Sequence, residues 1–106
     1  MAKYLFTVSY TAEGARGVMK DGGSGRRDLI AKLAADVGGS LESFYFAFGG
    51  ADVYGVLELP DHETAAALSM TVSASGAASV KTTVLLTPEQ IDQATHRSLA
   101  YRPPGG

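Results

Sequence analysis

The chain has 106 residues, 9 Lys and Arg against 11 Asp and Glu, a formal net charge of −2, and neither cysteine nor tryptophan. That length supports one core and leaves no room for a second, so residues 1–106 read as a single domain. The near-neutral charge excludes the basic footprint that phosphate-backbone binding needs, and the lack of cysteine excludes disulfides, thiolate nucleophiles and cysteine-held metals.

Residues 3–10 alternate, with Tyr4, Phe6, Val8 and Tyr10 on one face and Leu5, Thr7 and Ser9 on the other, which predicts a strand. Thr11 offers an N-cap to a helix over residues 12–20, and Asp21-Gly22-Gly23-Ser24-Gly25 reads as a flexible break. A second helix follows. Leu29, Ile30, Leu33 and Val37 form its apolar face, Arg27, Lys32 and Asp36 turn to water, and Gly38-Gly39 supplies a left-handed end.

Residues 40–48 predict a strand with Phe44, Phe46 and Phe48 on one face. The other face carries Leu41, Tyr45 and Ala47 instead of charges, so both faces are expected to be covered. Gly49-Gly50-Ala51 turns the chain into a third strand over residues 52–59, antiparallel to the one before it. Pro60-Asp61 stops that strand, and Asp61 caps a helix running to about Ser73 and ended by Gly76. A fourth strand spans residues 78–87, with Val80, Thr82, Val84 and Leu86 alternating against Lys81, Thr83 and Leu85. Thr87, Pro88 and Gln90 then make a capping-box pattern for a short helix to about His96. An extended tail, from about residue 98 to residue 106, closes the chain.

The order strand, helix, strand, strand, helix, strand is the split βαβ, or ferredoxin-like, pattern: an α+β fold with both helices on one face of a four-stranded antiparallel sheet. The other face is then bare unless a second molecule covers it. The two-faced strand 41–48 predicts that two chains pack sheet to sheet as a dimeric α+β barrel, so the expected assembly is a homo-oligomer, a dimer or a multiple of dimers. The first ten residues are too short and too alternating for a signal-peptide core, and no run approaches about 18 apolar residues. A soluble, cytoplasmic protein with no membrane or nucleic-acid partner is expected.

An ordered set of segments carries a resemblance: KYLFTVSYTAEGARG, the glycine-rich break followed by Arg26-Arg27, GGSLESFYFAFG, DVYGVLELPD, SASGAASVKTTVLLTPEQIDQA and the closing YRPPG. Together they cover nearly the whole chain, which resembles the GYD family of small bacterial proteins, named for a Gly-Tyr-Asp tripeptide at the hairpin turn. Here the tripeptide reads Gly50-Ala51-Asp52, so no role of that aromatic ring carries over. The resemblance implies a ferredoxin-like, dimeric α/β barrel. It implies no established general activity.

Candidate site residues follow from their chemistry. Asp52, at the hairpin mouth, either forms the turn by accepting backbone N–H groups or serves as a proton-transfer or ligand-binding carboxylate. Tyr10, Tyr45 and Tyr54 present apolar bodies with polar tips on neighbouring strands, packed in the core or converging on a cavity for a small apolar or aromatic ligand. His62 and His96 are the only histidines and thus the only side chains that titrate near neutrality without perturbation. Neither fits a metal-ligand spacing, and both fall at helix ends where solvent exposure is the default. Arg26 and Arg27 beside the glycine run are either solvated or part of an anion cradle, with Arg27 a candidate ligand contact. Lys81, in mid-strand, marks an edge. Ser73 and Ser75 read as helix-end polar residues.

No metal or cofactor is expected. Three functions remain open: an oligomeric binder of a small apolar or aromatic molecule, a cofactor-independent oxygenase or isomerase using Asp52 or a histidine as base, and an effector-sensing or protein-interaction module. What separates the first two is whether Asp52 or a histidine shares a cavity with Tyr10 and Tyr45.

Overall fold

In a computed structural model describing residues 1–106, the alternating N-terminal segment forms β1 (Ala2–Tyr10) at the inside of a four-stranded sheet. It is followed by α1 (Ala12–Asp21), α2 (Gly23–Asp36), β2 (Ser40–Phe46), β3 (Val53–Leu59), α3 (His62–Ala74), β4 (Ala78–Leu85) and α4 (Pro88–Thr95). The sheet order is β2-β3-β1-β4 and every pairing is antiparallel. This is the ferredoxin-like α+β arrangement, with the Lys81 strand at an edge. No helix is long and apolar enough to cross a membrane.

Four local expectations need correction. The glycine run is not a flexible break, because α2 begins at Gly23 and only Gly22, at φ 79°, joins the helices. The first turn of α2 lacks side-chain bulk, but burial of Ile30, Leu33 and Ala34 against the sheet stabilises the helix as a whole. That burial also sets its phase. Leu29 and Val37 remain exposed, and the sheet-facing stripe is Arg26, Ile30, Leu33 and Ala34.

The third correction concerns β2. Leu41 pairs with Leu57 and Ser43 with Val56, so Glu42 is the extra residue of a β-bulge. The bulge turns Leu41 onto the side of Phe44 and Phe46 and brings Glu42 to Lys3, which also meets Glu58 at 3.0 Å. Hydrogen bonds to Glu42 and then Glu58 push the Lys3 pKa above its ordinary value. The strand ends at Phe46, leaving Phe48 fully exposed in the turn and Tyr45 exposed on the sheet's open face. Within one chain, β2 is therefore not covered on both faces.

Finally, β4 ends at Leu85 because Thr87 leaves the ladder to cap α4. Its Oγ1 accepts the Gln90 N–H at 3.1 Å, and Gln90 Oε1 accepts the Thr87 N–H at 2.8 Å. Helix α4 buries no residue, and the chain beyond Leu86 projects from the body. The longest extent is 56 Å and the radius of gyration 16.9 Å, against about 13 Å for a compact domain of this size.

The core gathers Tyr4 and Phe6 of β1, Leu57 and Leu59 of β3, Ala34 of α2, and Ala65 and Leu68 of α3. These lie toward the start of β1 and the end of β3. Helix α2 packs mainly on β2 and α3 mainly on β4, which leaves a gap between the helices over the central strands.

Candidate functional site

The gap is a hollow of about 370 Å³. Its origin lies in the cross-strand rows facing the helices, where Gly55 of β3 stands between Phe44 of β2 and Phe6 of β1. Both neighbours are large and Gly55 has no side chain, so the sheet surface dips there. Val8, Val53 and Val80 continue the floor, Ile30 of α2 and Leu68 and Val72 of α3 make the walls, and 12 of the 16 lining residues are hydrophobic. The polar side chains are those of Tyr10, Arg26, Thr71 and Ser75. An aromatic and aliphatic hollow with few polar groups has the make-up of a small-ligand site.

The three tyrosines divide between the two faces. Tyr10 lines the hollow, whereas Tyr45 and Tyr54 are cross-strand partners on the open face, in a row with Thr7 and Lys81. One face of a strand cannot deliver residues of opposite parity to the same cavity.

Asp52 lies at the edge of a neighbouring, more open cleft, with Tyr10, Val18, Phe46 and Phe48. Its Oδ2 accepts the Tyr10 N–H at 2.7 Å, its own N–H donates to the Val8 carbonyl at 2.8 Å, and its carbonyl accepts the Ala47 N–H at 2.9 Å. One residue thus ties the end of β1 to both arms of the β2–β3 turn. Asp52→Ala is expected to lower stability by about 1.5–3 kcal/mol, the range for hydrogen bonds to charged groups. Asp52→Asn, which keeps an acceptor, should cost clearly less; urea titrations with unchanged slope would measure both.

His62 opens α3, and its Nδ1 meets the Tyr4 hydroxyl at 2.6 Å with the rings edge to face. Tyr4 is buried. Burial first, then the nearby Asp61 and Glu63 carboxylates, push its phenol pKa above the ordinary 10.0. A raised folded-state pKa means that the contribution is complete below pH 10.0 and is lost as the pH rises through the folded value. Melting temperatures measured between pH 8 and about 11 should therefore fall at the alkaline end. Tyr4→Phe should reduce that fall.

At the same helix start, Asp61 Oδ1 accepts the Thr64 N–H at 2.8 Å, and this hydrogen bonding lowers the Asp61 pKa. Its stabilising contribution is present above the ordinary carboxylate range and is lost as the pH falls through the depressed value. His96 terminates α4 in the exposed part of the chain. Neither histidine nor Asp52 lines the hollow with Tyr10. No three His, Asp or Glu side chains gather as metal ligands would.

The arginines separate by one residue of helical phase. Arg27 is 55% exposed and bonds Asp28 at 3.2 Å, outside the hollow, while Arg26 is 25% exposed and lines it. Of the lining residues, Arg26 is presented by the sequence with Arg27 as part of an anion cradle, but only Arg27 is singled out there as a ligand contact, and Gly55 is not singled out at all. Signals for both were present. Arg26 precedes Ile30, Leu33 and Ala34 by 4, 7 and 8 positions, which is one helical face. Gly55 interrupts the inward alternation of Val53, Leu57 and Leu59, and an isolated glycine inside a strand marks a packing gap or a close approach. Here nothing approaches closely: a Cβ at Gly55 would meet its nearest neighbour, Phe44, at 3.5 Å.

A family model described as GYD domain matches residues 4–95. Comparison with curated proteins and with solved structures returns no match.

Proposed function

The chain belongs to the GYD domain family, and on that premise we propose that it binds a small apolar or aromatic molecule in the hollow between α2 and α3. The observation that carries this reading is the hollow itself, about 370 Å³ and largely apolar, floored by a glycine between two phenylalanines. A larger residue at position 55 would narrow it, and the dip leaves apolar surface without packing partners. A bound apolar molecule supplies those partners. Its walls carry no histidine and no carboxylate, the side chains that most often serve as general bases, and this favours binding over acid–base catalysis.

Titration with the neutral fluorophore N-phenyl-1-naphthylamine tests the reading. Saturation at one molecule per chain is expected, and the absence of saturable binding would overturn it.

The same reading has the protein act as a homodimer, with two sheets packed through their open faces. Leu5, Tyr45, Tyr54, Val56 and Leu85 lie on that face, with Lys3, Glu42 and Glu58 as a charged cluster at one end. Area supports it: the chain exposes 7243 Å², whereas a compact monomer of its mass exposes about 5,600 Å². The surplus, about 1,600 Å² per chain and including the projecting C-terminal segment, is about twice the roughly 800 Å² that each partner buries in a standard interface. Light scattering at micromolar concentration should give twice the chain mass, and Val56→Lys should give the single-chain mass. A monomeric parent protein would defeat the dimer.

A further inference from the structure

We infer that the molecule held in the hollow is a monocarboxylate with an apolar or aromatic body, its carboxylate bound by the Arg26 guanidinium. This rests on the hollow being a binding site. The lining contains one charged side chain, Arg26, and no acid.

Arg26 sits on the sheet-facing stripe of α2, one turn before Ile30, with three quarters of its side chain covered. The nearest acid, Asp21, is half exposed and approaches only to 3.8 Å, beyond hydrogen-bonding distance. A guanidinium offers five N–H donors in a planar fork that matches a carboxylate. Set against apolar walls and paired with Asp21 only at 3.8 Å, with no side-chain hydrogen bond, that fork keeps donors free, and the carboxylate of a ligand supplies a closer, hydrogen-bonded partner.

The remaining polar groups agree with this polarity. The Thr71 and Ser75 hydroxyls donate to the Ala67 and Val72 carbonyls of their own helix, so their protons are already engaged. Tyr10 belongs to the same lining, and a phenol is a donor type that a carboxylate oxygen accepts. An amine would meet a cation on a lining that holds no acid, since Asp21 stands outside it. A dianion would bring one charge more than the lining can neutralise.

The experiment compares 4-phenylbutyrate with 4-phenylbutan-1-ol, which share an apolar body and differ in charge, by calorimetric titration at pH 7. The parent protein is expected to bind the acid at least about tenfold more tightly than the alcohol, the ratio a charge-assisted hydrogen bond provides. Arg26→Met keeps an apolar stem and should remove that preference while changing the alcohol's Kd by less than about twofold. Equal binding of the two by the parent, or a preference that survives in Arg26→Met, would overturn the carboxylate inference and leave the hollow as a neutral-ligand site. Failure of both probes to bind would overturn the binding reading and this inference with it.

Discussion

Gly55→Val is expected to weaken binding of N-phenyl-1-naphthylamine at least about tenfold while raising stability by about 1 kcal/mol. The two effects have one cause. A Cβ at position 55 meets Phe44 at 3.5 Å and Leu57 at 3.7 Å, ordinary contact distances, so the new side chain enters the hollow without displacing the sheet. A glycine inside a strand costs about 0.5–1 kcal/mol relative to alanine, and a β-branched residue suits a strand better still. On a domain of this size, 1 kcal/mol corresponds to about 4–8 °C in Tm. Loss of binding together with a higher Tm would show that the position trades stability for volume. Unchanged binding in the stabilised variant would move the ligand site elsewhere.

Gly14→Ala should destabilise the fold by about 2 kcal/mol, read as a lower urea midpoint. Local propensity predicts the opposite sign, since alanine is favoured over glycine in a helix interior by about 1 kcal/mol. Tertiary contact decides the outcome. A Cβ at Gly14 would stand 1.9 Å from the Ala77 carbonyl oxygen and 2.9 Å from its carbon, and neither is the end of a flexible side chain. Relief requires α1 to move off the loop between α3 and β4. That motion breaks the Thr11 N–H to Ala77 carbonyl bond of 2.9 Å and the contacts of Thr11 Oγ1 with the Gly76 and Ala77 carbonyls. Both losses outweigh the gain in propensity. A neutral or stabilising Gly14→Ala would mean that this corner is looser than its contacts indicate.

These variants also separate two uses of glycine. At Gly14 the missing side chain lets two backbones touch, whereas at Gly55 it leaves a space that no backbone fills. The sequence alone presents both simply as glycines within regular elements. A distinction between contact and void exists only once β3, α2 and α3 are assembled.

Much of the fold was legible without coordinates. The period-two pattern of Tyr4, Phe6, Val8 and Tyr10, the caps at Thr11, Asp61 and Thr87, and the left-handed glycines Gly38 and Gly76 set the order of strands and helices. These signals are local: each depends on a side chain and the backbone within a few residues of it. The same local signals gave the ferredoxin-like order and, through the ordered segments, the family.

The site was legible only in part, because it depends on phase and register. Whether Arg26 or Arg27 faces the sheet turns on the rotation of α2, which is decided by Ile30, Leu33 and Ala34 packing on a surface more than a turn away. Which side Leu41 faces turns on a single bulged residue, Glu42, stabilised by a lysine on another strand. Tyr10 and Tyr45 fall on opposite faces because pairing carries each through the sheet at a different parity. Composition and local pattern thus determined the elements, their order and their ends. Only the tertiary structure decided which faces meet, where a glycine leaves a hollow and which arginine borders it, because those outcomes are set by contacts between residues far apart in the chain.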